Sequence, residues 1–478
     1  MLRPGHLVEL VIQKPVAGGR MMARSSDGVV FVAGAIPGER VVARIERATR
    51  DVAHAATVDV LEPAASRRSV SGDPACGGLA YAHIAYPHQV QLKRDVIADA
   101  LARIGRLPQV ERPPVASSPE RAYRLRARFH VRGGRAGWFR EGTHELCSAH
   151  GSGQVTEEAL DAIDRLVARL PQSVVHMIDT IELAENVSAT DRVLHLTPRP
   201  GARFDRAVPW TDAAGPDVTG ISWARSRSDR VEALCGVSWV TDPLDAVVGA
   251  RGEGEGARRE QGSADKDRGA GVEVRRHAAS FFQANRYLLP VLADAVGRWV
   301  GDGPVVDLYA GVGLFAIAAC VRGATDVIAV EGDALSGRDL DENARRFAPT
   351  LRVVHDTVER FIADHLIAAG PPRAQSSDAT LIVDPPRTGI SRAAMQGIVA
   401  TNAPRVVYVS CDVATFARDV RRLLDAGYTL VHLEGFDLFP NTGHVEALAV
   451  LERHSTSTWV VRSIRPQETE WPPPRCGS

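Results

Sequence analysis

The amino-acid sequence predicts an α/β protein: a small N-terminal β-barrel, a central α+β domain and a C-terminal doubly wound, mostly parallel sheet. Three observations predict it. The chain has 478 residues, more than an ordinary single domain. Residues 1–62 contain short strand-like runs separated by glycine-containing turns. From residue 273 onward, apolar runs typical of buried strands alternate with helical patterns.

The overall composition is that of a globular protein. Hydrophobic residues make up 45% of the chain, and a net charge of −1 gives no general attraction for nucleic acid. The six cysteines are scattered without a close pair, so we expect a reducing cytoplasm and no disulfide framework. No apolar run approaches the length of a membrane span, and the N-terminus breaks the pattern of a signal peptide. We therefore expect a cytoplasmic protein with no membrane partner.

Residues 1–62 are expected to form a closed barrel of the oligonucleotide-binding type. The strand-like runs cover residues 7–12, 29–32, 40–45 and 56–61. Such barrels often bind RNA, but a purely structural role explains the composition equally well.

The central domain, residues 63–272, contains a strongly basic stretch. Between residues 93 and 141, twelve basic residues stand against five acidic ones. Residues 123–132 alternate as a strand does, with apolar side chains on one face. The opposite face carries Arg124, Arg126, Arg128, His130 and Arg132. Two interpretations remain open: contact with an RNA phosphate backbone, or an exposed strand that its charges keep soluble.

Two segments have compositions that do not favour a packed core. Residues 250–271 are rich in glycine and charge and predict a flexible insert within the central domain. Residues 455–478 predict a poorly ordered tail. The C-terminal domain is therefore expected to cover residues 273–454.

A glycine turn opens the C-terminal domain. Asp307 ends an apolar strand, and Gly311 and Gly313 follow in a strand-to-helix turn, where a backbone without side chains lets a ligand approach closely. Glu331 ends the next strand, where a carboxylate holds ribose hydroxyls. Because Ala316 occupies the third glycine position of a dinucleotide motif, the pattern favours S-adenosylmethionine over NAD. Other nucleotide binders and a structural glycine turn remain alternatives.

Three further motifs follow later strands. Asp384 begins an Asp-Pro-Pro-Arg turn, which is rigid because of its two prolines. Cys411 lies between an apolar strand and a helix, where the helix dipole is expected to ease ionisation of the thiol. Glu446 begins a final apolar run. Taken alone, the cysteine is better explained by a structural role in the turn.

A thiol, a carboxylate and a methyl donor together fit methylation of carbon 5 of uracil. Thiolate addition to carbon 6 makes carbon 5 nucleophilic, and a base then removes the carbon 5 proton so that the thiol leaves. Cys411 and Glu446 supply these two groups.

These motifs resemble the RNA 5-methyluridine (uracil-C5) methyltransferase family of the TrmA/RumA type. The matching stretches are Asp-Pro-Pro-Arg-x-Gly, Tyr-Val-Ser-Cys, Asp-x-Phe-Pro-x-Thr-x-His-x-Glu and Ser-Phe-Phe-Gln. The resemblance implies a Rossmann-like class I methyltransferase domain, and residues 1–62 resemble the TRAM barrel of many members. It implies that Cys411 is the nucleophile and Glu446 the general base. It further implies cofactor contacts from Gln283, Tyr309, Gly311, Glu331 and Asp384.

The sequence departs from the family pattern at three places. Asp412 stands where asparagine is usual and is expected to raise the pKa of the neighbouring thiol. Asn441 replaces the usual glutamine. Many members hold a four-cysteine iron–sulfur cluster, but Leu79 occupies one ligand position, which leaves Cys76 and Cys147 as candidates. We therefore expect neither a cluster nor another metal.

The expected activity is methylation of a uridine in 23S ribosomal RNA or tRNA, by a monomer. An RNA cytosine-C5 methyltransferase and a catalytically silent RNA-binding protein are the alternatives. The sequence does not indicate which uridine is modified.

Overall fold

The computed structural model describes residues 2–70, 72–225, 230–249, 271–367 and 378–453. The expected flexible insert, apart from Gly271, and the expected tail lie outside the described residues.

The N-terminal strands form a closed barrel, as expected from their turns. The order around the barrel is β1-β2-β3-β5-β4. Its core is made of the inward-facing apolar residues of these strands, such as Leu10, Val30 and Val41. The strands are β1 (Leu7–Pro15), β2 (Met21–Ser25), β3 (Gly28–Ala33), β4 (Arg40–Ala48) and β5 (Val52–Glu62).

A mixed sheet of seven strands, flanked by helices, follows the barrel. The alternation predicted for residues 123–132 is confirmed, since Tyr123, Leu125, Ala127, Phe129 and Val131 are all buried. The flanking helices are α2 (Glu157–Arg169), α3 (Gln172–Val175) and α4 (Trp210–Ala214), whereas α1 (Tyr86–Arg103) packs on the barrel and on the C-terminal sheet. The strands are β6 (Val115–Ala116), β7 (Arg126–Arg132), β8 (Arg135–Phe139), β9 (Leu146–Cys147), β10 (Ile178–Glu185), β11 (Arg192–Pro198), β12 (Gly220–Trp223) and β13 (Glu232–Gly236). All of these strands except β6 belong to the sheet, whose order is β13-β12-β11-β10-β7-β8-β9.

The C-terminal sheet has eight strands in the order β18-β17-β16-β19-β20-β22-β21-β6. A two-stranded ribbon precedes it: β14 (Trp239–Pro243) and β15 (Glu273–His277), with α5 (Leu244–Val248) between them. The sheet strands are β16 (Val305–Leu308), β17 (Val327–Glu331), β18 (Leu351–His355), β19 (Thr380–Val383), β20 (Arg405–Ser410), β21 (Thr429–Phe436) and β22 (Glu446–Glu452). The helices are α6 (Leu289–Gly297), α7 (Leu314–Val321), α8 (Ala334–Ala344), α9 (Val358–Phe361), α10 (Arg392–Thr401) and α11 (Val413–Asp425), and a π-helix covers Ile362–Ile367.

Strands β16 to β20 are parallel, whereas β22 runs antiparallel between β20 and β21. The chain moves outward from β16 in one direction through β17 and β18, then returns to its other side with β19. Such a switch point opens a crevice at the carboxyl ends of the strands, where α/β proteins bind ligands.

Two cysteines are joined, contrary to the expectation drawn from their spacing. A disulfide links Cys76 to Cys147, which lie 71 residues apart in the chain. The sequence does not show this contact because it depends on pairing: β9 pairs with β8, and Cys76 bridges Arg140 just after β8. Cys235, Cys320 and Cys411 are free.

Within the described ranges, no helix combines the length and the apolar character that crossing a membrane requires.

Candidate active site

The acidic residues and the cysteine that the sequence analysis predicts for catalysis or cofactor binding lie at one edge of the C-terminal sheet. Asp307 lies near the end of β16, Glu331 ends β17, Asp384 follows β19 and Cys411 follows β20. Glu446 starts β22, which runs the other way and therefore begins at the same edge. The order and direction of the strands thus bring together, at one sheet edge, side chains that are up to 139 residues apart in the sequence.

The strand register makes Cys411 and Glu446 neighbours. Ser410 pairs with Ala447 across β20 and β22, so the next position on each strand brings Cys411 opposite Glu446. The negative charge of Glu446 raises the pKa of the Cys411 thiol, which agrees with this placement.

The glycine turn is held in a conformation that side chains disfavour. Gly311 has φ 58° and Gly313 φ 98°, and a Cβ on Gly313 would lie 2.7 Å from Leu340 Cδ1. Tyr309, with φ 64°, adopts the same left-handed region without being glycine. Asp307 Oδ2 accepts a hydrogen bond from the Ala316 N–H at 2.9 Å, which fixes the start of α7.

Glu331 is tied to this turn. One carboxylate oxygen accepts from the Gly311 N–H at 2.7 Å, and the other accepts from the Asp333 N–H at 2.6 Å. Burial raises the pKa of Glu331, although these two hydrogen bonds oppose the rise. The acid therefore fixes the glycine turn as well as facing the crevice.

Gln283 and Asp384 lie together, as two expected cofactor contacts should. Gln283 Nε2 donates to Asp384 Oδ2 at 3.1 Å. Burial raises the pKa of Asp384 to about 7, and the hydrogen bond from Gln283 opposes the shift. Asp384 is consequently a carboxyl group able to exchange a proton near neutral pH.

The prediction that Cys411 ionises easily is wrong. Burial, followed by the charges of Glu446 and Asp384, raises the pKa of the Cys411 thiol to about 12, and Arg387 opposes the shift. Asp412 caps the helix that follows: Asp412 Oδ1 accepts from the Ala414 and Thr415 N–H groups at 3.1 and 2.8 Å. The carboxylates with the largest effect on the thiol are Glu446 and Asp384.

Glu446 is a buried carboxylate. Its side chain is enclosed at the start of β22, with 4% of the residue exposed. Burial, followed by the charge of Asp384, raises the pKa of Glu446 well above its usual value, while Arg387 lowers it. A carboxylate with a raised pKa binds a proton more strongly, as a general base must.

Arg387 is a site residue that the sequence analysis did not assign. Its positive charge lowers the pKa of Cys411 and of Glu446, so it acts on both proposed catalytic groups. The signal was present in the Asp-Pro-Pro-Arg turn, since Arg387 comes three residues after Asp384.

The four arginine residues predicted to contact RNA, Arg124, Arg126, Arg128 and Arg132, differ in their partners. Arg126 and Arg128 both form ion pairs with Glu182, at 2.6 and 2.7 Å, and Arg132 pairs with Asp179 at 2.9 Å. Arg124 forms no ion pair within the described part of the chain.

Arg124 instead lies among aromatic rings and beside the active site. Its guanidinium carbon is 5.9 Å from the centre of the Trp138 ring and 5.6 Å from that of Phe439. The charge of Arg387 also acts on it.

The crevice fits a positively charged nucleoside cofactor. Asp307 Oδ1 is buried and has no hydrogen-bond partner among the described residues. The space in which a Gly311 side chain would stand is nearly open, with its nearest neighbour 3.9 Å away. No group of three or more His, Cys, Asp or Glu residues is placed to hold a metal ion in the ranges that the structure describes.

The sheet order, the glycine turn and the acids at the strand ends define a methyltransferase-like α/β protein. The family model of tRNA (Uracil-5-)-methyltransferase matches residues 375–454, which contain Asp384, Cys411 and Glu446. The chain is 30% identical to an uncharacterized RNA methyltransferase of Thermosynechococcus vestitus, across 94% of this chain and 98% of the relative. It is also 30% identical to the 23S rRNA (uracil(1939)-C(5))-methyltransferase RlmD of Halomonas elongata, across 93% of this chain and 89% of that protein.

The whole fold also resembles a solved structure. The crystal structure of the Pyrococcus abyssi tRNA (uracil-54, C5)-methyltransferase, in complex with S-adenosyl-L-homocysteine, superposes with a TM-score of 0.67 at 21% identity. The match covers 93% of this chain and 99% of that one. The chain belongs to the RNA uracil-C5 methyltransferase family.

Proposed function

We propose that the protein transfers a methyl group from S-adenosylmethionine to carbon 5 of a uridine in 23S ribosomal RNA or tRNA. The observation that carries the proposal is the strand register that sets Cys411 opposite Glu446. A nucleophile and a base on adjacent strands can reach the same face of one pyrimidine ring from carbons 6 and 5.

Cys411 and Glu446 act in successive steps of the proposed reaction. Cys411 Sγ bonds to carbon 6 of the uracil, and the electrons of the 5,6 double bond move toward carbon 5 and the carbonyl at carbon 4. S-adenosylmethionine, when bound, supplies the electrophilic methyl group that carbon 5 attacks. Glu446 then removes the carbon 5 proton, and the electrons of that C–H bond restore the double bond and expel the Cys411 thiolate.

The charged neighbours of Cys411 activate its thiol. Because its pKa lies near 12, Cys411 is protonated at neutral pH and must lose its proton as it attacks. Asp384 and Glu446 are the carboxylates whose charges reach the thiol. Asp384, with a pKa of about 7, takes that proton, so Glu446 stays available to remove the carbon 5 proton later. Arg387 stabilises the thiolate that results.

The crevice around the glycine turn holds the cofactor in this proposal. Asp307 and Glu331 face it with carboxylates, Gly311 leaves room for it, and Tyr309 and Gln283 border it. Gln283 is already fixed by its hydrogen bond to Asp384.

The rest of the chain binds RNA in this proposal. The unit of residues 1–62 serves as a TRAM-type barrel, residues 63–272 as the central domain and residues 273–454 as the class I methyltransferase domain. Arg124, Arg126, Arg128 and Arg132 contact the RNA backbone in this proposal, and the last three share their charges with carboxylates. The target uridine must leave its stack to reach the buried thiol.

Methyl transfer from radiolabelled S-adenosylmethionine tests the proposal. The RNA comes from a strain that lacks the gene, with 23S ribosomal RNA and tRNA assayed separately and the product nucleoside identified by mass. We expect 5-methyluridine at one position. Labelled 5-methylcytidine instead would identify a cytosine enzyme, and RNA binding without label would identify a silent binding protein.

A further inference from the structure

We propose that helix α1 positions the general base, with Gln89 and Lys93 as positioning residues that fix the loop leading to Glu446. The base loop is here defined as residues 437–445, between the end of β21 and Glu446. This inference rests on the proposed function. It gives a role to Gln89 and Lys93, which come more than 300 residues before the loop residues that they contact.

Lys93 fixes the beginning of the base loop. Its ammonium group pairs with Asp437 and also donates to the Phe439 carbonyl oxygen at 3.1 Å. Lys93 is 1% exposed and Asp437 is fully buried. Burying such a pair costs desolvation energy that the attraction between the charges often does not recover, so hydrophobic packing would serve stability as well. The pair is better explained by the specific geometry that it imposes on the loop.

Gln89, one turn earlier on α1, fixes the middle of the loop. Its Nε2 donates to Asn441 Oδ1, and its Oε1 accepts from the Asn441 N–H, both at 2.9 Å. Asn441 has φ 64°, a left-handed conformation that asparagine tolerates better than glutamine does. The departure from the family pattern at Asn441 therefore has a physical reason in this chain.

The barrel closes the loop from the other side. Gly443 packs so tightly on Gly19, in the turn between β1 and β2, that a Cβ on Gly443 would collide with the Gly19 backbone. The Tyr81 N–H also donates to the Asn441 carbonyl oxygen at 2.8 Å. The loop is thus held between α1 and the barrel along its length.

This arrangement predicts a defect in one step of the reaction. Glu446 acts after methyl transfer, when it removes the carbon 5 proton and releases the thiol. A displacement of about 1 Å at a reacting group can cost about a hundredfold in rate. Loosening the base loop should therefore stall the enzyme as a methylated covalent protein–RNA adduct, while RNA binding remains intact.

The test compares Lys93→Met with Lys14→Met in the full-length protein. Lys14 on β1 forms an ion pair with Asp99, which lies on α1 away from the base loop, so Lys14→Met is the matched control. Both variants are incubated with S-adenosylmethionine and the substrate RNA, and adduct is quantified on denaturing gels. We expect Lys93→Met to accumulate at least about tenfold more adduct than the control at unchanged RNA Kd. Turnover without extra adduct, or loss of turnover and adduct in proportion to the loss of folded protein, would overturn the inference.

Because Lys93→Met leaves Asp437 buried and uncompensated, it is assayed beside a double variant in which both charges are removed. Lys93→Met with Asp437→Asn removes both charges and should melt closer to the wild type. The inference requires this double variant still to accumulate adduct. Wild-type turnover in the double variant would show that the ion pair is dispensable for base placement.

The wild-type protein separates failure of this inference from failure of the proposed function. If wild-type protein forms no adduct with RNA containing 5-fluorouridine, the covalent mechanism itself fails. If it forms the adduct and Lys93→Met behaves as Lys14→Met does, only the positioning role fails.

Discussion

At the scale of single residues, the proposed nucleophile Cys411 lies in surroundings that oppose its ionisation. Burial and two carboxylates raise its pKa, and Arg387 is the cation that opposes them. In the proposed reaction the thiol stays protonated until S-adenosylmethionine enters the crevice, because the positive charge of the sulfonium group then lowers the pKa of the thiol. The Asp412 carboxylate caps α11.

Changing the charges around Cys411 should move its ionisation in opposite directions. Asp384→Asn removes a negative charge, so the pKa of Cys411 should fall, and Arg387→Gln removes a positive charge, so it should rise. At neutral pH we expect alkylation of Cys411 by iodoacetamide to be about three- to tenfold faster in Asp384→Asn and correspondingly slower in Arg387→Gln. Peptide mass spectrometry resolves each cysteine, and Cys235 and Cys320 serve as internal controls. The reverse order of rates would refute the electrostatic account of the thiol.

At the scale of elements, the sequence predicts the parallel strands but neither the direction of β22 nor the burial of Cys411. The strands before Asp307, Asp384 and Cys411 were predictable because a buried strand followed by a turn has a strong local signature. The antiparallel direction of β22 was not, since an apolar run carries no information about its direction. The position of Cys411 opposite Glu446 depends on that direction. The pKa of Cys411 was misjudged for a related reason: burial and capping depend on the assembled structure.

The glycine turn provides a prediction at this scale. Gly313→Ala places a Cβ at φ 98° and 2.7 Å from Leu340 Cδ1, so the turn or the Leu340 side chain must shift. Gly323→Ala is the matched control, because Gly323 has φ 99° and open space around the same position. Both should lose about 1 kcal/mol or more of unfolding free energy through the strained backbone.

Affinity for S-adenosylmethionine separates the two variants. By calorimetry, we expect Gly313→Ala to bind at least about tenfold more weakly than the wild type, which is about 1.4 kcal/mol, and Gly323→Ala to bind as the wild type does. Equal affinities in the two variants would remove the glycine turn from the cofactor site.

At the scale of the whole molecule, the N-terminal barrel and the C-terminal doubly wound sheet were predictable from sequence, but the contacts between distant parts of the chain were not. Helix α1 contributes Val96, Ile97 and Leu101 to the core of the C-terminal sheet, and β6 pairs with β21 at its edge. The β6–β21 pairing joins Val115 to Gly435, more than 300 positions later in the chain, which local patterns do not reveal. The same long-range packing brings Cys76 to Cys147, while Leu79 is buried in the apolar cluster beside them.

The crosslink in the central region gives a prediction for the stability of the whole chain. Joining residues 71 positions apart restricts the unfolded chain, so reduction should lower the free energy of unfolding by about 2 to 4 kcal/mol. Denaturant unfolding with and without dithiothreitol measures this, and a Cys76→Ser/Cys147→Ser variant should not respond to the reductant. Stoichiometric iron in anaerobically purified protein, lost in that double variant, would instead show that these sulfurs hold a cluster.

The central claim, that Cys411 attacks the pyrimidine, is tested most directly by trapping the covalent intermediate. Substrate RNA carrying 5-fluorouridine has no carbon 5 proton for Glu446 to remove, so methylated enzyme–RNA adduct should persist. After nuclease and protease digestion, we predict that the modified nucleotide lies on the peptide that contains Cys411 and that Cys411→Ala forms no adduct. An adduct that persists in Cys411→Ala, or maps to another residue, would contradict the account.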